Sequence, residues 1–355
     1  MSVDLVVVGM GYVGLPLASE ATRAGLKVVG FDTSLTVVTG LNAGVSHIDD
    51  VPDDEVHDLL ARGFVATSDQ SILSTAATVI ICVPTPLAPG GGPDLRAVNA
   101  ALDAVARHLQ RGQLIVLEST TYPGTTDEVA KPLLEASGLI VGTDIHLAFS
   151  PERIDPGNIS FGVANTPKVV GGCTPACTQA AVGFYSRFIS SVFPAKGTRE
   201  AEMSKLLENT YRHVNIALVN ELARFCHELE IDIWNVIELA SSKPFGFQAF
   251  RPGPGVGGHC IPIDPQYLAY KVRTELGQTT QFIELAQQIN AGMPGYIVER
   301  ATAQLGRTNR PITDAKVLLL GVSYKADIAD TRETPATALR LAFNHAGAEV
   351  TYYDP

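Results

Sequence analysis

No apolar run in this chain of 355 residues approaches the roughly 20 that a membrane-spanning helix needs. The opening, MSVDLVVVGMGYVG, lacks the basic start and small-residue cleavage site of an export signal. Neither membrane insertion nor secretion is expected. Cysteine is scarce: Cys82, Cys173, Cys177, Cys226 and Cys260 are odd in number and scattered. They do not read as a disulfide framework, so a reducing cytoplasm is the expected setting. Cys173 and Cys177 are four apart, but no second Cys/His pair with ligand spacing lies nearby, and no metal is expected. Basic residues are outnumbered, 26 to 37, and the net charge is −11. Nucleic acid is therefore a poor candidate for the main partner. A phosphorylated ligand would have to be held by a few local basic groups or by backbone N–H donors.

Glycine and proline are absent from Thr198 to Ala240, where apolar residues recur at helical spacing. A long helix is predicted there, broken near Glu230 and followed by a second. Another is predicted over about 279–306. Before this helical middle, LVVVG, KVVGFD, TVIICVP (78–84), QLIVLEST (113–120) and IHLAFSP (145–151) read as buried strands. Helical stretches such as LRAVNAALDAVARHL lie between them. The alternation predicts an α/β protein with a doubly wound parallel sheet. After the helical middle, KVLLLGVSYKADIADTRETPATALRLAFNHAGAEVTYYDP reads as strand, loop, helix, strand. Two strands cannot close a core of their own, so this last domain is expected to be incomplete here. The predicted division is an N-terminal Rossmann domain over 1–196, a central long-helix domain over 197–306, and the start of a second Rossmann-like domain over 307–355.

Gly9-Met10-Gly11-Tyr12-Val13-Gly14 is a GxGxxG string between a strand and a helix. Alone the string is weak. In that context its glycines let the backbone approach a pyrophosphate at a helix N-terminus. Asp32 ends the next strand, 18 residues after Gly14, where a carboxylate suits a ribose 2′-hydroxyl and repels a 2′-phosphate. NAD is predicted over NADP. Polar or rigid residues close three further strands: Cys82-Val83-Pro84-Thr85-Pro86, Glu118-Ser119-Thr120-Thr121 and Ser150-Pro151-Glu152-Arg153. Each alone reads as a turn or cap; together, at the carboxyl ends of strands, they mark a ligand site. On the long helix Lys205 and Asn209 share a face, as do Glu208 and Arg212, although a solvated face is the ordinary reading of such charges. The stretch Arg251 to Pro265, RPGPGVGGHCIPIDP, suits no regular helix or strand. It places Cys260 beside His259 and four residues before Asp264. A free cysteine is more often a buried structural thiol. A reactive one needs a nearby cation or helix N-terminus, and Lys205 is the candidate cation.

In this order, GMGYVGLPLA, CVPTP, ESTTYPGTT, FSPER, KLLENTYRHVNIALVNELA, PGPGVGGHCIPIDP and GVSYKADIADTRE resemble the UDP-sugar 6-dehydrogenase family over essentially the whole chain. The resemblance implies NAD in the first domain, UDP in the last, and a homodimer formed through the long central helix. It implies oxidation of a sugar C6 alcohol to a carboxylate, through a thiohemiacetal and then a thioester on Cys260. Lys205 and Asn209 would stabilise and bind the oxyanion, Asp264 and Thr120 position water, and Glu152 assist proton transfer. Gly9, Gly11, Tyr12, Val13, Gly14, Asp32, Pro84, Thr85, Thr120 and Arg332 would hold the cofactor. Glu152, Arg153, Lys205, Asn209, Arg212, Arg251, Gly257 and Lys325 would contact the UDP-sugar. The string GGHCIPIDP, with His259 and Ile263 where the UDP-glucose branch has serine and lysine, resembles the N-acetylhexosamine branch. UDP-N-acetylglucosamine is the first expectation, with UDP-N-acetylmannosamine and UDP-glucose as alternatives and a uronic acid for surface polysaccharide as product. The other readings are a non-catalytic nucleotide-sugar binding protein and a one-step β-hydroxyacid dehydrogenase, which would need no thiol.

Overall fold

The computed structural model describes every residue except 1, 2, 89, 90, 156, 157, 159, 259 and 327. The chain divides into two compact units, Met1–Leu206 and Leu207–Pro355.

The first unit is built on eight strands: β1 (Val3–Val8), β2 (Val28–Phe31), β3 (Val65–Thr67), β4 (Ala76–Ile81), β5 (Leu114–Leu117), β6 (His146–Phe149), β7 (Lys168–Gly172) and β8 (Val192–Pro194). Its helices are α1 (Gly14–Arg23), α2 (Leu35–Asn42), α3 (Asp53–Ala61), α4 (Arg96–His108), α5 (Lys131–Glu135) and α6 (Pro175–Tyr185). The strand order is β3-β2-β1-β4-β5-β6-β7-β8. The first six are parallel and follow the dinucleotide-binding order, with the reversal between β1 and β4. The central strands are apolar because helices cover both sheet faces: Leu5 to Val7 and Ile115 to Leu117 expose nothing to solvent. Helix α1 sets Leu15, Leu17, Ala18 and Ala21 against this core.

The sheet expected from the sequence forms, and one strand beyond it reverses: β7 runs antiparallel to β6, pairing Ala148 with Gly172 and Phe149 with Gly171. Its first residue therefore returns to the edge where β5 and β6 end. Strand β8 follows β7 in parallel.

Helix α7 (Thr198–Glu228) is unbroken through 31 residues, as the missing glycine and proline predict. The break falls at Glu230, whose φ of 58° a right-handed helix cannot contain. Asp232 then caps α8 (Ile233–Ser241) by accepting the Trp234 N–H at 2.9 Å. The second unit continues with α9 (Asp264–Leu276), α10 (Gln281–Gly306), and β9 (Lys316–Leu320), α11 (Pro335–His345) and β10 (Glu349–Tyr353). β9 and β10 are parallel, the right pairing for a strand–helix–strand unit. Val298 of α10 packs with Phe343 and Ala348 beneath them. No described helix is long and apolar enough to cross a membrane.

Candidate active site

The glycine turn between β1 and α1 has the shape its sequence predicts. Gly9 has φ 91°, and a Cβ there would stand 2.6 Å from the Cys82 carbonyl oxygen. A Cβ on Gly14 would collide with the Gly9 carbonyl, so α1 can begin this close to the strand only with glycine. Around Gly11 the space is open, with no atom within 4 Å of a built Cβ. Tyr12 and Val13 complete the turn, half-buried. Asp32 lies beside it: its carboxylate accepts the Met10 N–H at 2.9 Å and the Ser34 N–H at 2.8 Å. The acid is thus held at the lip of the turn, where a ribose would arrive. Asp32→Ala is expected to shrink the preference for NAD over NADP, measured as the ratio of kcat/KM for the two cofactors. Equal use of NADP by the wild type would refute the role of this acid.

The ends of β4 and β5 are tied together. Thr85 donates to the Thr120 carbonyl at 2.8 Å, and Ser119 to the Val83 carbonyl at 2.7 Å. Pro84 is exposed beside them. Thr121 is fully buried and its hydroxyl has no partner among the described residues. Beyond β6, Glu152 turns one oxygen to the N–H groups of Arg153 and Ile154. Arg153 in turn donates to the Pro167 carbonyl at 2.7 Å.

Beneath these ends is a charged cluster that sequence reasoning missed. Lys168, the first residue of β7, is 5% exposed, and its ammonium is 3.0 Å from Glu118 and 3.8 Å from Glu152. The other Glu118 oxygen accepts the Tyr185 hydroxyl, and Lys168 stands 5.2 Å from the centre of the Tyr185 ring. Burial raises the Glu118 carboxyl despite Lys168, and burial pushes the Cys82 thiol and Tyr185 hydroxyl well up, so both stay neutral. For Lys168 burial acts downward, but Glu118 and Glu152 outweigh it and the ammonium is retained.

Lys205 is not on a solvated face: it is buried at 8% exposure. One turn before it on α7, Glu202 is fully buried. It accepts the Gly124 and Thr126 N–H groups at 2.6 and 2.9 Å and the Thr126 hydroxyl at 2.7 Å. Burial lifts its carboxyl to about 7, against those hydrogen bonds. The start of α7 is thereby pinned to the loop that follows Thr120 and Thr121.

In the second unit the glycine-rich loop ends where α9 begins. Pro265 occupies the first helical turn, where its missing N–H leaves no helix hydrogen bond unmade. Cys260 is half-buried and not in a disulfide, and its carbonyl accepts the Ile263 and Asp264 N–H groups at 3.1 and 2.8 Å. Asp264 is 2% exposed and accepts the Asn209 side-chain amide at 2.5 Å, which joins α9 to α7. A carboxylate at a helix N-terminus is favoured by the helix dipole. The loop is anchored by a second amide pair. Asn220 accepts the Gly253 N–H at 2.9 Å and donates to Asn290 at 2.9 Å; Asn290 donates to the His213 carbonyl at 3.3 Å. At Gly257, Tyr324 and Pro335 occupy the space a side chain would need. Arg212 and Arg251 are exposed and Lys325 is half-buried. Arg332 grips Asp330 through Nε and Nη2, the latter at 2.6 Å. Tyr211 donates to Gln248 at 3.1 Å. His213 is 1% exposed, neither ring nitrogen has a partner among the described residues, and burial lowers it to about 4. His259 lies outside the described residues.

The residues expected at the site fall in both units along the chain. The glycine turn, Asp32, Thr120, Glu152 and Lys205 belong to the first; Asn209, Arg251, Cys260, Asp264, Lys325 and Arg332 belong to the second. Lys168, Tyr185, Glu202, Asn220 and Asn290 escaped sequence reasoning. The one signal available was a lysine opening the apolar run KVVGG.

A glycine turn under a helix start, with an acid at the end of the next strand, defines a dinucleotide-binding protein. Residues 3–189 match the NAD binding domain of the UDP-glucose/GDP-mannose dehydrogenase family, 199–292 its central domain and 318–355 its UDP binding domain. The chain belongs to that family: it is an NAD-dependent UDP-sugar dehydrogenase. It is 35% identical to UDP-N-acetyl-D-mannosamine dehydrogenase of Pyrococcus horikoshii, over 99% of this chain and 83% of that one. With the enzyme of the same name from Yersinia pestis it shares 34% identity, over 94% of this chain and 80% of the relative. The solved structure of UDP-D-ManNAc dehydrogenase from Pyrococcus horikoshii superposes with TM-score 0.93 at 36% identity, covering 99% of this chain and 83% of that one.

Proposed function

We propose that this chain oxidises the C6 hydroxyl of a UDP-N-acetylhexosamine to the carboxylate, with UDP-N-acetylmannosamine as its substrate. The observation that carries the chemistry is the loop that ends in half-buried Cys260, four residues before buried Asp264 and its partner Asn209. The choice of sugar rests on the relatives, both named for N-acetylmannosamine. UDP-N-acetylglucosamine, the first expectation from the sequence, becomes the rival.

Gly9, Gly11, Tyr12, Val13, Gly14, Asp32, Pro84, Thr85, Thr120 and Arg332 would hold NAD, which would supply the hydride acceptor for both oxidations. The Cys260 sulfur adds to the C6 aldehyde, which keeps it from escaping and turns it into a tetrahedral carbon that can be oxidised again. Lys205 and Asn209 stabilise the charge on the C6 oxygen. Asp264 and Thr120 hold the water that cleaves the thioester, and Glu152 carries the proton. Arg153, Arg212, Arg251, Gly257 and Lys325 are assigned to the UDP-sugar, and His259 with Tyr211, Arg212 and His213 to the acetamide.

A site that hydrogen-bonds an acetamide penalises a sugar lacking it, because its polar groups go unpaired. The expected order of kcat/KM is UDP-N-acetylmannosamine, then UDP-N-acetylglucosamine, with UDP-glucose well below both. NADH formation from the three sugars at saturating NAD measures it. UDP-glucose in first place would overturn the branch; oxidation of none would overturn the reading.

A homodimer is part of this proposal. Leu218, Leu222 and Phe225 of α7, with Leu229 just past its end, recur at helical spacing and are 41–68% exposed; Trp234 and Leu239 of α8 are 56% and 64% exposed. Such a stripe is costly to leave in water, and a second copy of the same stripe is its natural cover. Light scattering should give twice the chain mass, and Phe225→Glu should shift it to one; a monomeric wild type would refute the dimer.

A further inference from the structure

We propose that Lys168 is a positioning residue for catalysis: it holds Glu152 in place from beneath the sheet edge. The proposal rests on the reading of Glu152 as the proton carrier. It starts from topology. Because β7 is antiparallel to β6, continuing the Phe149–Gly171 register past the strand ends reaches Glu152 opposite Lys168. Ser150 confirms the course of that register by donating to the Val169 carbonyl at 2.8 Å.

The ammonium is then shared unequally. At 3.0 Å it closes an ion pair with Glu118, whose other oxygen is taken by Tyr185. At 3.8 Å it reaches Oε2 of Glu152, whose other oxygen Oε1 is taken by two backbone N–H groups. Glu118 is closed off, 1% exposed, while the Glu152 side chain is 15% exposed, so it is the member of the cluster that meets the ligand side. Cys82 and Tyr185 face the same centre but are neutral, so Lys168 is the cation both carboxylates share within this cluster. A lysine that served Glu118 alone would not need to lie between two acids. Between them, Lys168 at Oε2 and the two backbone N–H groups at Oε1 fix both oxygens of the Glu152 carboxylate.

A small displacement of a proton carrier is worth on the order of 10²-fold in rate. Lys168→Met should therefore lower kcat on the order of 10²-fold, with KM for the UDP-sugar and affinity for NAD near wild type. Lys168→Arg, which keeps a cation between the acids, should recover most of the loss. Lys168→Met alone also strands the buried Glu118 carboxylate, so the deciding variant is Glu118→Gln with Lys168→Met, which removes both charges of the pair. Each is assayed in the full chain with whichever of the three UDP-sugars the wild type oxidises fastest, and melting temperature is read in parallel. The expected result is a double variant that regains melting temperature but stays slow. A double variant with wild-type kcat would make Lys168 a purely structural partner of Glu118 and overturn the proposal. Glu152→Gln separates the two readings: wild-type kcat there would remove Glu152 from the mechanism and the Lys168 proposal with it. A slow Glu152→Gln beside a fast double variant would sink only the role of Lys168.

Discussion

Cys260→Ser is expected to lower steady-state turnover by ~10⁴-fold or more, the scale on which enzymes lose activity with their nucleophile. Serine nearly matches cysteine in size, so the loop should keep its shape and the Cys260 carbonyl its two hydrogen bonds to the start of α9. What changes is the nucleophile: a hydroxyl without an adjacent base adds poorly to an aldehyde, and the second oxidation then has no thiohemiacetal to act on. The glycine turn and Asp32 belong to the other unit, so NAD affinity should be unchanged. Two measurements decide it: NADH formation with the UDP-sugar, and NAD titration of the variant. Turnover near the wild-type rate would exclude the thioester route. A one-step dehydrogenase of similar plan would survive the substitution, which makes this the sharpest division between the two chemistries.

Lys205→Ala is expected to cost roughly 10²-fold or more in kcat, the usual scale for losing one oxyanion donor. The residue is buried at 8% exposure on α7, one turn from Asn209 and three residues after Glu202, which pins that end of the helix. A buried lysine also packs through its stem, so Lys205→Met serves as the control that keeps the stem and loses the charge. Equal loss of kcat in both variants assigns the effect to charge. A loss confined to KM would make Lys205 a uniform binding group rather than a stabiliser of the transition state.

The parts of this molecule that local chemistry dictates were legible from the residues. LVVVG and QLIVLEST are strands because a sheet covered on both faces needs continuous apolar runs. The GxGxxG turn forms because Gly9 and Gly14 sit where no side chain fits. The helix break at Glu230 follows a stretch with no glycine or proline to end it earlier, and Asp232 supplies the next cap. Of the residues that the motif order groups into one scheme, Asn209 and Asp264 are in contact at 2.5 Å.

What local chemistry could not show is any partnership between distant residues. Glu118 meets Lys168 50 positions away and Tyr185 67 away; Glu202 meets Thr126 76 away. None of these pairs has a spacing signature, because each exists only where strands and helices bring strangers together. The reversal of β7 is the clearest case. KVVGG reads as a buried strand in either direction, since period and hydropathy are blind to the sense of the chain. Only the pairing with β6 decides it, and that decision turns a lysine at a strand start into the cation beneath two carboxylates. The sequence by itself determined the elements and the glycine turn and singled out Cys260 as a candidate, because those depend on neighbours along the chain. Tertiary structure alone decided which buried charges share a centre, because burial and Coulomb attraction depend on distance in space.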